Sequence, residues 1–94
     1  MATYNVGKNS TQSFTAPAHP KRIQVAESTH LYSYLNNVSS SDSGSFVALY
    51  LLSGYDDVYQ TTINWSFNAD TKVLTITAGS GFSTCTGFPV IVWY

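Results

Sequence analysis

The chain has 94 residues, a formal net charge of −1, 44% hydrophobic residues, 15% aromatic residues and only 10% charged residues. That length makes one domain with a thin core, since a chain this size buries only about 60–65% of its unfolded surface. Such hydrophobicity excludes disorder. Four Lys+Arg against five Asp+Glu leave no basic face of the kind that displaces counterions from nucleic acid.

The chain starts Met1-Ala-Thr-Tyr-Asn-Val-Gly-Lys8, with no basic region leading into an apolar one, so no signal peptide is expected. No apolar run approaches the ~20 residues of a membrane span. Without a secretory route, the Asn-X-Ser/Thr triplets at Asn9, Asn37 and Asn64 read as chance matches in a Ser/Thr-rich chain. Gln12–Thr15 forms a short strand, which Ala16-Pro-Ala-His-Pro20 ends by biasing each residue before proline toward extended backbone. Arg22–Glu27 puts Ile23 and Val25 on one strand face. In His30–Leu35, Leu31, Ser33 and Leu35 share a face, opposite Tyr32 and Tyr34. Val38–Gly44, rich in serine, reads as a loop.

Phe46–Leu52 is apolar at every position, as is Phe88–Tyr94. Both runs are short and rich in β-formers, so they read as strands with apolar side chains on both faces. Pro89 lacks an N–H and fits the start or edge of such a strand. Between them, Gln60–Phe67 alternates: Thr61, Ile63, Trp65 and Phe67 point one way, their polar neighbours the other. Lys72–Ala78 repeats the scheme with Leu74, Ile76 and Ala78 inward. Asn68-Ala-Asp-Thr71 is turn chemistry, so residues 60–78 form a β-hairpin with a four- or five-residue loop. Placing Phe67 opposite Leu74 sets Trp65 opposite Ile76 and Ile63 opposite Ala78, and a one-residue slip would invert every side chain. Ala78-Gly-Ser-Gly81 ends the hairpin, and the stretch to Gly87 reads as irregular.

Six or seven short strands and no helix, with turns at sandwich-like spacing, predict a single antiparallel β-sandwich over residues 1–94, with a small β-barrel as the alternative. Chemistry is sparse. His19, His30 and the single Cys85 lie at spacings that make no metal set, and a lone thiol forms no internal disulfide. Asp42 and Asp70 sit in turn contexts, and with Glu27 they offer no recognisable carboxylate pair. Asp56-Asp57 is the only acidic cluster. A calcium ion needs six to eight oxygens, and no EF-hand spacing surrounds the pair, so a solvated loop is the stronger reading. The expectation is a non-enzymatic protein with no cofactor.

A chain this small has difficulty covering two strands that are apolar on both faces. The residues read as interface candidates are therefore Tyr32, Tyr34, Tyr50, Leu52, Ile91 and Trp93, because aromatic residues bury much area while keeping a polar tip. The expected partners are other protein subunits, in a homo-oligomer or a larger particle. The alternative is a carbohydrate-binding module that stacks sugar on Tyr32, Tyr34, Tyr55, Tyr59 or Trp93.

The layout resembles the small all-β structural proteins of tailed bacteriophage virions: tail, tail-fibre and decoration modules. The features that carry the resemblance are the Met-initiated start, the surface rich in Ser, Thr, Gly and Tyr, and the single Cys. To these belong the Trp65-Ser-Phe-Asn-Ala-Asp-Thr-Lys-Val-Leu-Thr-Ile-Thr77 hairpin and the closing Val90-Ile-Val-Trp-Tyr94 strand. The resemblance implies self-assembly or docking on a larger particle, a location in the virion after synthesis in the host cytoplasm, and no cofactor. It carries over no functional residue.

Overall fold

Period-two alternation builds most of the described chain. The computed structural model describes residues 1–25, 31–32, 35–51, 58–79 and 87–94. These hold nine strands: β1 (Ala2–Gly7), β2 (Thr11–Thr15), β3 (Arg22–Val25), β4 (Leu31–Tyr32), β5 (Asn36–Asn37), β6 (Ser43–Leu51), β7 (Val58–Asn68), β8 (Val73–Ala78) and β9 (Gly87–Trp93). They form a four-stranded sheet, β1-β9-β3-β5, and a five-stranded sheet, β2-β8-β7-β6-β4. Every pairing is antiparallel. Two facing sheets make this a β-sandwich rather than a closed barrel.

Nine strands exceed the six or seven expected. The two additions are β1 and β5. In β1, Ala2, Tyr4 and Val6 alternate with the exposed Thr3 and Asn5, but Asn and Gly are poor strand formers and mask that pattern. β5 is two asparagines held by pairing to Arg22 and Ile23, a tertiary effect that no local propensity reveals. The loop expected over Val38–Gly44 is shorter than it reads, because Ser43 and Gly44 already pair with Ser66 and Trp65.

The hairpin register is as the sequence predicts: Phe67 lies opposite Leu74, Trp65 opposite Ile76 and Ile63 opposite Ala78. Its four-residue loop is closed by the Lys72 N–H donating to the Asn68 carbonyl at 2.7 Å. The Asn68 side-chain oxygen accepts from the Asp70 and Thr71 N–H groups. Lys72 takes a left-handed backbone, φ 59°, which an L-residue adopts at a cost.

The core lies between the sheets. The four-stranded sheet contributes Val6, Ile23, Val25, Phe88, Val90 and Val92, and the five-stranded sheet Ala48, Ile63, Trp65, Phe67, Leu74, Ile76 and Ala78. Each large apolar side chain buried this way is worth about 1.5–3 kcal/mol relative to exposure. One seam of the sandwich is closed by the Tyr4 ring stacked on Phe14, centroids 3.9 Å apart, and by a 2.8 Å hydrogen bond between the Tyr4 and Tyr94 hydroxyls. At the other seam Trp65 passes over Gly44, where an added Cβ would stand 3.0 Å from the indole nitrogen.

Candidate functional site

Two outward surfaces follow from this core. The first is the outer face of the four-stranded sheet. Because Phe88, Val90 and Val92 point inward, the alternation turns Pro89, Ile91 and Trp93 outward, all three half-buried. Register places Gln24 and Thr3 on either side of Ile91, and Arg22 beside Trp93. The β1 pairing ends at Ala2 opposite Val92, so Trp93 lies past the end of β1. There Lys21, Arg22, Asn37, Ser39, Trp93 and Tyr94 line a groove of about 540 Å³. The wall is built by hydrogen bonds: the Lys21 N–H donates to the Trp93 carbonyl at 2.7 Å, and the Val38 N–H donates to the Lys21 carbonyl at 2.9 Å. The Asn37 Oδ1 accepts from the Ser39 N–H at 3.0 Å and the Ser39 hydroxyl at 2.7 Å. Tyr94 closes one end, its hydroxyl held by Tyr4. Burial, reinforced by that hydrogen bond and by the Tyr4 charge, pushes the Tyr94 phenol well above the ordinary tyrosine range.

The second surface is the outer face of β6. Ala48 points into the core, while Val47 and Leu49 point out and are 44% and 39% exposed. Beyond β6 the sheet continues, among the described residues, through β4 at Leu49 and Tyr50. Among the described residues, the stretch Ser43–Ala48 therefore pairs with β7 on one side and with no strand on the other. An unpaired edge beside exposed apolar side chains is a template for another strand.

A third feature ties loops together. His19 Nε2 lies 3.0 Å from Asp42 Oδ1, Nδ1 lies 2.8 Å from the Pro20 carbonyl, and the ring meets Phe67 edge-on with centroids 5.0 Å apart. Both ring nitrogens face acceptors, so neither is presented to an outside substrate as a base. The pair clamps the Pro17–Pro20 loop to the start of β6. No cluster of three metal-ligating side chains occurs among the described residues.

Ile91 and Trp93 therefore share one outer face, as their parity in the sequence requires. The β4 and β6 backbones place Tyr32 opposite Leu49, and Tyr50 between Leu31 and Tyr59. Tyr34, Leu52, Tyr55, the Asp56-Asp57 pair, Glu27, His30 and Cys85 lie outside the described residues. The exposed apolar pair of β6, Val47 and Leu49, is not among the residues the sequence singles out, although the all-apolar run contains it. Lys21-Arg22 reads locally as an isolated basic pair, and only the pairing of Arg22 with Trp93 reveals what it stands beside. The His19–Asp42 contact has no local signal at all. No protein-family model, curated protein or solved structure matches the chain.

Proposed function

We propose that this β-sandwich is a structural protein that works by associating with copies of itself or with a neighbouring subunit, as a component of a bacteriophage virion. The observation that carries the reading is the outer side of β6, where Val47 and Leu49 are exposed beside a strand edge with no partner over Ser43–Ala48 among the described residues. Pairing along such an edge supplies main-chain hydrogen bonds, and the apolar side chains supply the burial. The virion assignment is supported by the resemblance of the hairpin and closing strand to phage structural modules. Light scattering at micromolar concentration tests the association: a mass rising with concentration is expected, and a strict monomer counts against it. The virion assignment predicts that the chain co-purifies with intact particles at fixed stoichiometry.

A second reading, carbohydrate binding, is favoured by Trp93, a half-buried indole in a groove whose rim is polar. Saccharide binding lost on Trp93→Ala, with the fold intact, is its expected signature.

A further inference from the structure

We propose that the groove at the end of β9 takes an acidic saccharide, a sugar ring bearing a carboxylate. The proposal rests on the carbohydrate reading of Trp93 and names the ligand class.

The groove's size suits such a ligand, since about 540 Å³ falls within the range of small-molecule sites. Trp93 offers a flat apolar surface, the element a sugar ring packs against. The polar rim is one-sided in its chemistry. Asn37 Oδ1 is taken twice over, by the Ser39 N–H and hydroxyl. A backbone donor fixes that amide orientation, so what Asn37 has left to offer is its NH₂ group. Lys21 and Arg22 add an ammonium and a guanidinium, and among the described residues no carboxylate pairs with either. The described side-chain carboxylates lie elsewhere: Asp42 on His19, and Asp70 in the turn of the hairpin. Two of the chain's four Lys+Arg residues thus stand together beside an indole, with no carboxylate side chain paired to either among the described residues.

A donor-rich rim calls for an acceptor-rich, negatively charged ligand. Carboxylate fits better than phosphate. Phosphate sites draw on convergent backbone N–H groups, whereas the Lys21, Val38 and Ser39 N–H groups are already spent on Trp93, Lys21 and Asn37. What remains is the Arg22 fork, whose planar geometry matches a carboxylate. The Asn37 NH₂ and the lone pairs of the Ser39 hydroxyl are left for sugar hydroxyls.

The test is a titration of the full chain with a galacturonic acid oligomer. Parallel arms use the fully methyl-esterified oligomer, which keeps rings and hydroxyls but loses charge, and an oligoglutamate peptide, which keeps charge but has no rings. The readout is the two indole N–H signals in NMR, with the buried Trp65 as internal reference. The expected result is movement of Trp93 but not Trp65 by the acidic oligomer. Binding of the ester and of the peptide should be weaker by about tenfold or more, the scale of a lost charge-assisted hydrogen bond. Arg22→Gln should weaken the acidic oligomer to the same degree with an unchanged fingerprint spectrum, and Lys21→Gln less so. Equal binding of ester and acid overturns the proposal while leaving the carbohydrate reading standing. Equal binding of the peptide and the acidic oligomer overturns it in favour of a general anion site. Binding of none of the three overturns both.

Discussion

β7 has two neighbours, and they differ. On one side β8 buries Leu74, Ile76 and Ala78, and its outer hydroxyls are partnered: Thr77 with Thr11 at 2.9 Å and Thr75 with Ser13 at 3.0 Å. On the other side β6 buries Ala48 but sends Val47 and Leu49 outward. The same sheet face is therefore finished with a polar ladder at one end and left apolar at the other. Cross-strand hydroxyl pairs add modestly to stability and leave little for another protein to bury. The apolar end stays in water at a cost unless something covers it. The contrast locates stability in the β8 side and the proposed association in the β6 side, and substitutions can separate the two.

The largest effect belongs to the β8 side. Ile76→Ala should cost about 2–5 kcal/mol in denaturant unfolding, because Ile76 is fully buried between the sheets. A loss below 1 kcal/mol would show that the core is not where the β8 side chains place it. Next is Thr61, on the inner face of β7. Its hydroxyl is buried and has no hydrogen-bond partner among the described residues, so the near-isosteric Thr61→Val should raise stability by about 1 kcal/mol or more. A drop would mean that the hydroxyl is satisfied. Lys72→Gly should raise stability by about 0.5–1 kcal/mol, read as a shift in urea midpoint, by removing the left-handed strain at the hairpin loop.

The smallest effect concerns pH. The Tyr94 phenol is held neutral by burial and by its bond to Tyr4. Its folded pKa lies above the unfolded value, so its contribution is complete below about pH 10 and is lost as pH rises beyond that. Urea midpoints of the native chain should fall more steeply above pH 10 than those of Tyr94→Phe. Equal slopes would contradict the shift.

The difference between the two ends of the sheet also separates what the sequence makes legible from what it does not. The β7–β8 hairpin was readable to the residue, because strict alternation and a polar turn leave one register that keeps Trp65, Phe67, Leu74 and Ile76 together. β1 carried the same alternation, weakened by Asn5 and Gly7, and β5 had none. β6 was legible as a strand, but an all-apolar run carries no parity, so it could not say that Val47 and Leu49 would face out. The groove was half legible. Trp93 and Ile91 share a face by parity alone, whereas the approach of Arg22 and Asn37 depends on two strand pairings between distant parts of the chain. The His19–Asp42 clamp joins two loops, and loop-to-loop contacts leave no periodic trace.

The central claim is that β6 is the associating surface. Sedimentation velocity of the native chain beside a Val47→Lys, Leu49→Lys variant tests it directly, with Thr75→Ala, Thr77→Ala as the control on the polar end. The account predicts a larger species at micromolar concentration for the native chain and the control. It predicts a monomer for the lysine variant, whose unfolding free energy should stay within about 0.5 kcal/mol because both sites are exposed. Association unchanged in the folded lysine variant, or lost in the threonine control, would contradict it.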